Sequence, residues 1–275
     1  MRRLLVDTIS GDRVVLTGEQ HHRVTRVLRL GRGDIIRIFD GRGSEYEAVI
    51  ESEDRARTVL AIQRPVQPAP EPEVKITLCQ AVPRGDAMER VIQKCVEIGV
   101  AEIVPIITRR SVARPRSGDS AKLARWRKIA LQAVEQSGRA RLVPVADPVT
   151  ADAVIARLPS FDLALVPHVA GASGRPNDTE DVGSAHVIPS VVERSEESRA
   201  RFGNPVPLRD VLGTYDRPST VAILIGPEGG FATDEVERFR AAGARTVSLG
   251  PRLLRSETAG LVAATIVLYH FGEIN

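Results

Sequence analysis

The chain has 275 residues, of which 43% are apolar and 27% charged, the makeup of a globular protein long enough for two domains. Its longest apolar stretch, residues 259–271, falls short of the ~18 residues a membrane-spanning helix needs, and Asp7, Thr8 and Ser10 interrupt any signal-peptide core in MRRLLVDTIS. Two cysteines, Cys79 and Cys95, make neither a metal spacing nor a disulfide framework, so a reducing cytoplasm is the expected location, and the net charge of +3 allows an acidic partner such as RNA without demanding one.

Taken in chain order, residues 1–64 read as a small, mostly β domain. RVVLTG, DIIRIFD, YEAVIES and TVLAIQ are short runs rich in β-branched residues, and Asp40-Gly41-Arg42-Gly43 falls between two of them as a hairpin turn. Residues 19–30 are the exception: Val24, Val27 and Leu28 recur at helical spacing and Gly31 stops the run. PVQPAPEPE, residues 65–73, holds four prolines in nine positions and predicts a stiff connector and a domain boundary.

From residue 74 strands and helices alternate. VKITLCQ, EIVPII, FDLALVP, VAILIG and TVSLG read as buried strands. Asp86-x-x-Glu89 resembles a capping box, followed by Met88, Val91, Ile92, Cys95 and Val96 on one helix face and Gly99 at its end. Asp119 or Ser120 is expected to cap a second helix, with Leu123, Trp126, Ile129, Ala130 and Ala133 inward. The pattern predicts an α/β domain around a parallel sheet covered on both faces. Residues 169–206, rich in Ser, Glu, Gly, Asn and Pro, break it and read as a surface insertion.

Two loops carry the chemistry. VAILIGPEGGFATDEVERFR runs from a strand through glycines into a helix, yet GPEGGF lacks the lysine of a phosphate loop, and Glu228, Asp234 and Glu235 would repel a triphosphate. A neutral or partly cationic ligand suits it better, and an adenosine bearing a sulfonium, S-adenosylmethionine, fits that description; a plain strand-to-helix turn, with Asp234 and Glu237 as caps, is the other reading. LGPRLLRSETAGLVAATIVLYHF repeats the layout, with Arg252, Arg255 and Glu257 beyond a strand's carboxyl end, where open α/β sheets bind ligands. Its helix is apolar almost all round and therefore expected to be buried. His21 and His22, adjacent and without further ligands nearby, do not point to a metal, and Trp126 and the Lys94–Glu97 pair read as packing and a surface salt bridge.

GPEGGF followed by LGPRLLRSETA resembles the signature of the SPOUT methyltransferases, and more closely the RsmE family, which methylates N3 of a uridine in bacterial 16S ribosomal RNA. HHRVTRVLRLGRGD, RGDAMERVIQKCVEIGV at 84–100, RRSV at 109–112 and RWRKIALQAVEQSGR at 125–139 extend the likeness over most of the chain outside the insertion. The resemblance implies a PUA-like β-barrel RNA-binding domain over residues 1–68, a SPOUT domain over 74–275 whose end is threaded into a trefoil knot, and a homodimer. It implies an S-adenosylmethionine site of Gly226, Pro227, Glu228, Gly229 and Gly230 together with Leu249, Gly250, Leu253, Leu254, Ser256, Thr258 and Ala259, with a third wall near Val166. Methylating uridine N3 requires removal of its proton, so Arg255 is the expected stabiliser of the anion and Glu257 its base or the group that orients Arg255. Arg29, Arg84, Arg110 and Arg139 sit in shared motifs, with Arg109 and Arg114 beside them, and are the expected contacts to the RNA backbone. The alternatives are a related enzyme acting on another base or a ribose 2′-OH, and a non-catalytic RNA-binding or ribosome-assembly factor.

Overall fold

The computed structural model describes residues 2–111, 120–168 and 205–275. Contacts divide the chain into two compact units, Met1–Glu71 with Lys128–Val143, and Pro72–Arg127 with Pro144–Asn275. The readings of Asp119 as a cap, of Arg114 as a contact and of residues 169–204 as an insertion lie outside the described residues.

The first unit holds strands β1 (Arg3–Leu5), β2 (Arg13–Thr17), β3 (Ile35–Phe39), β4 (Glu45–Glu53) and β5 (Arg57–Val66) in the order β1-β3-β4-β5-β2. Only β1 and β3 pair in parallel. Register shifts at Glu47/Ala48 and Ile50/Ser52 bend the β4–β5 ribbon, and the curled sheet encloses Leu4, Leu16, Ile36, Ile38, Ile50 and Leu60. In the turn from β3 to β4, the Asp40 carboxylate accepts from the backbone N–H groups of Arg42, Gly43 and Ser44. β5 continues through Pro65 into the expected connector. Its partner β2 reaches only Arg57–Ala61, so the missing proline N–H breaks no ladder on that side.

The helix expected over residues 19–30 is different in kind. Helix α1 (Gly18–His22) passes directly into a π-helical turn, Arg23–Val27, with Leu28 N–H on the Arg23 carbonyl. The wider turn changes which residues share a face: Val24 is fully buried while Val27 is 65% exposed. Arg29 follows in the left-handed region at φ 54°, the one non-glycine residue with positive φ among those described.

Arg3 organises this unit. Its guanidinium makes a two-bond pair with Glu45 and donates to the carbonyls of Val134, Glu135 and Arg139, satisfying the carbonyl end of helix α3 (Ser120–Ser137). It also lies 4.8 Å from the centre of the Phe39 ring. Both side chains of the pair are almost wholly buried, at 7% and 1% exposure. Nothing in the local sequence marks residues 128–143 as part of this unit.

The second unit is built on seven parallel strands in the order β10-β12-β9-β11-β6-β7-β8. They are β6 (Lys75–Ala81), β7 (Glu102–Ile107), β8 (Val149–Thr150), β9 (Leu163–Pro167), β10 (Val206–Pro207), β11 (Thr220–Ile225) and β12 (Arg245–Ser248). Helices α2 (Ala87–Glu97), α4 (Ala151–Arg157), α5 (Leu208–Leu212), α6 (Thr233–Ala241) and α7 (Ser256–His270) connect and cover them. Met88, Val91, Ile92, Cys95 and Val96 of α2 are buried as their spacing predicts. Asp86, however, sits at φ −95°, ψ 10° and makes no side-chain cap bond, and Glu89 pairs with Arg125 instead, so the expected capping box does not form. An N-cap needs extended backbone to aim its side chain at the first turn. Cys79 and Cys95 are buried thiols, each pushed up to about 12 by burial. Trp126 is buried, and Lys94 pairs with Glu97 at 2.9 Å. Among the described residues no helix is long and apolar enough to cross a membrane.

Replacing Arg3 with Met strands the Glu45 carboxylate in the interior and is expected to cost about 3–5 kcal/mol in urea unfolding. The double replacement Arg3→Met with Glu45→Met should cost less than the single one, because no unpaired charge remains.

Candidate functional site

Because all seven strands run the same way, their carboxyl ends share one edge, where their loops can converge on a ligand. A cavity of about 530 Å³ opens there, within the size range of small-molecule sites. Four strands supply its walls. Ile225 and the loop of Gly226, Pro227, Glu228, Gly230 and Phe231 follow β11. Leu249, Gly250, Arg252, Leu253, Leu254 and Arg255 follow β12 and lead into Ser256, Glu257 and Ala259 of α7. Pro167 and His168 close β9, and Arg84, Ala87 and Arg90 come from the loop after β6 and the start of α2.

The first loop is curled tightly on itself. A Cβ on Gly226 would lie 2.9 Å from the Phe231 nitrogen, so only glycine fits. Neighbouring strand ends hold the loop from outside. The Glu228 carboxylate accepts from the Arg84 backbone N–H at 2.8 Å, and Arg110 donates to the Gly229 and Phe231 carbonyls at 2.9 and 3.3 Å. At the start of α6 the buried Glu235 accepts from the N–H groups of Ala232 and Arg109, and Asp234 pairs with the Arg109 guanidinium at 2.8 Å. Glu235 therefore does the tying that the sequence reading gives to Asp234 and Glu237.

The second loop meets the first through Ser256, whose hydroxyl donates to the Gly226 carbonyl at 2.6 Å. Arg255 precedes α7 with its side chain 86% exposed, and its guanidinium stands 3.9 Å from Glu257, whose side chain is 21% exposed. Among the described residues, four arginines (Arg84, Arg90, Arg252 and Arg255) face the cavity with two carboxylates, Glu228 and Glu257. The polar wall is thus net positive beside apolar walls of Ala87, Ile225, Phe231, Leu249 and Leu254. His168 is held below its ordinary value by burial first and by the nearby Arg110 charge second, which favours a neutral imidazole.

Most of the expected cofactor residues line this cavity: Gly226, Pro227, Glu228, Gly230, Leu249, Gly250, Leu253, Leu254, Ser256 and Ala259, along with Arg255 and Glu257. Val166 does not, because its side chain is wholly buried in the core that includes Val104, Leu224 and Phe231. Gly229 and Thr258 also fall outside the lining. Of the expected RNA contacts, Arg84 lines the cavity and Arg29 is exposed in the first unit, while Arg110 is engaged by the loop carbonyls. Arg139 is only 6% exposed and paired with Glu71, so it acts as a structural ion pair. Sequence reasoning missed Arg90, Phe231 and Gln80. Arg90 was legible as the residue one turn after Ala87 on α2; Gln80 carries no signal within an apolar strand. Among the described residues, no group of three or more His, Cys, Asp or Glu is placed to hold a metal ion.

A profile of an RNA methyltransferase domain matches residues 70–268, and one of an RNA methyltransferase PUA domain matches residues 16–60. The chain is 31% identical over 255 residues to ribosomal RNA small subunit methyltransferase E of Synechocystis, covering 91% of this chain and 71% of that one. It is 28% identical to the protein of the same name from Bacillus subtilis, over 92% of this chain and 89% of that one. The crystal structure of ribosomal RNA small subunit methyltransferase E from Neisseria gonorrhoeae, bound to S-adenosylmethionine, aligns with a TM-score of 0.75 at 27% identity over 98% of this chain and 97% of that one. The chain belongs to the RsmE family of RNA methyltransferases.

Proposed function

We propose that this protein is an S-adenosylmethionine-dependent methyltransferase acting on uridine N3 of bacterial 16S ribosomal RNA. The observation that carries this reading is the joining of both glycine-bearing loops around one cavity with Arg255 and Glu257 at its wall. The residues fit the cofactor: apolar side chains of Ile225, Leu249 and Leu254 suit a planar adenine, Gly226 lets the backbone come close, and Glu228 and Glu257 tolerate a sulfonium. The bound cofactor supplies an electrophilic methyl group.

The protein's own part is alignment and charge. Holding N3 in line with the methyl group supplies much of the rate. As N3 loses its proton, negative charge spreads to O2 and O4 of the uracil, where the exposed Arg255 guanidinium stabilises it. Glu257 orients that guanidinium and stands as the proton acceptor. The N3 proton passes to the Glu257 carboxylate, which frees the nitrogen lone pair for the methyl group that a bound cofactor would supply. Arg84, Arg90 and Arg252 add positive charge for phosphates around an extruded base.

The wider architecture belongs to the same proposal. The curled five-stranded sheet is read as a PUA-like barrel that binds RNA over residues 1–68, and residues 74–275 as the SPOUT domain with a trefoil-knotted end. Dimerisation is assigned to α7, where Leu261, Val262 and Ile266 are only partly buried and Tyr269 is 68% exposed. The cytoplasm is the expected compartment.

Small ribosomal subunits lacking the modification, incubated with the protein and labelled cofactor, are expected to yield one N3-methyluridine per subunit by nucleoside mass spectrometry. A different methylated nucleoside would overturn the substrate, and no transfer despite cofactor binding would favour an assembly factor. Arg255→Ala should lower kcat by roughly 10²–10³-fold while cofactor affinity stays within about threefold. Arg29→Gly should raise stability by about 1 kcal/mol through relief of the left-handed conformation. It should also weaken RNA binding and reduce the magnitude of the salt slope by about 1.

A further inference from the structure

One buried amide links the two loops of the cavity without lining it. Gln80, near the end of β6, is 0% exposed in a strand whose neighbours Leu78, Cys79 and Ala81 are apolar. Its Nε2 donates to the Ala81 carbonyl at 3.1 Å and to the Ser256 hydroxyl at 2.9 Å. The Ser256 hydroxyl spends its single proton on the Gly226 carbonyl at 2.6 Å, which can only accept, so the direction of the chain is settled: Gln80 to Ser256 to Gly226.

The other end of the amide is unusual. Among the described residues, Gln80 Oε1 is buried and has no hydrogen-bond partner. Opposite it lies Gly260 of α7, where a Cβ would come within 2.9 Å of that oxygen and 3.3 Å of Leu78 Cδ1. The helix is thus seated against the amide with room for an α-hydrogen and nothing larger. An unpaired buried carbonyl costs stability, and an apolar side chain of the same length would remove that cost. The cost is offset only by what the Nε2 side does.

We propose that Gln80 is a positioning residue for the cofactor pocket. By fixing the rotamer and proton of Ser256, it sets the spacing between the Gly226 carbonyl on one loop and the first turn of α7 on the other. The two walls between which the adenosine lies are then held by a single side chain from a third strand. This inference rests on the cofactor reading above.

The test is a double-mutant cycle on Gln80→Met and Ser256→Ala, with cofactor binding measured by calorimetry and methyl transfer at saturating cofactor. Each single variant is expected to bind S-adenosylmethionine about tenfold more weakly, the scale of one lost hydrogen bond. The double variant should be no weaker than about threefold beyond the poorer single, because both act through one link. The kcat of Gln80→Met at saturation should stay within about threefold of wild type, since the amide lies outside the cavity and does not touch the reacting atoms. Additive losses, unchanged affinity in Gln80→Met, or a fall in kcat alone would overturn the proposal. Thermal unfolding checks the fold of each variant, and if Gln80→Met does not fold, Gln80→Asn, too short to reach Ser256, takes its place in the cycle. Wild-type protein that fails to bind the cofactor would overturn the cofactor reading itself, whereas wild-type binding with unaffected variants would overturn this inference alone.

Discussion

Everything at the candidate site depends on the parallel pairing of β6 with β11. Six consecutive residues of each strand are in register, from Lys75 opposite Thr220 to Gln80 opposite Ile225, although the strands lie far apart in the chain. Parallel pairing brings carboxyl ends to one edge, so the loop that follows β11 opens beside the one that follows β6. β9 pairs with β11 on its other side and β12 pairs with β9, adding two further loop starts to the same edge. A one-residue slip would turn Gln80 to the other face of the sheet, away from α7.

Around that edge the protein uses charge in two ways. Carboxylates hold backbone: Glu228 takes the Arg84 N–H, and Glu235 takes those of Ala232 and Arg109. These acids, which look like repellents of an anionic ligand in the sequence, are largely engaged in shaping the loop. Arginines divide likewise. Arg110 is engaged by loop carbonyls, whereas Arg84, Arg90, Arg252 and Arg255 face the cavity. The first unit repeats the contrast, with Arg3 and Arg139 buried in ion pairs and Arg29 exposed on a left-handed residue after a π-helical turn. A π-helical turn and a non-glycine residue at positive φ are both costly backbone choices, and such choices concentrate where function constrains the chain.

Much of this molecule was legible in its sequence. The strands at EIVPII and VAILIG, the buried face of α2 and both glycine-bearing loops follow from apolar periodicity and turn chemistry, which act over a few neighbouring residues. Motif order identified the family, and with it most residues that line the cavity. Tertiary structure alone decided which polar side chains are free to meet a ligand. Arg139 looks available in the sequence but is buried, Val166 is expected at a wall of the site yet packs in the core, and Gln80 looks like a stray polar residue yet links two loops. The alternating pattern also gave no sign that Lys128–Val143 groups with the first unit, where the Arg3 guanidinium gathers carbonyls of Val134, Glu135 and Arg139. Periodicity reports which face of an element is apolar, whereas the partner of a buried amide or guanidinium is chosen by residues 68 to 176 positions away in these cases, once the chain has folded.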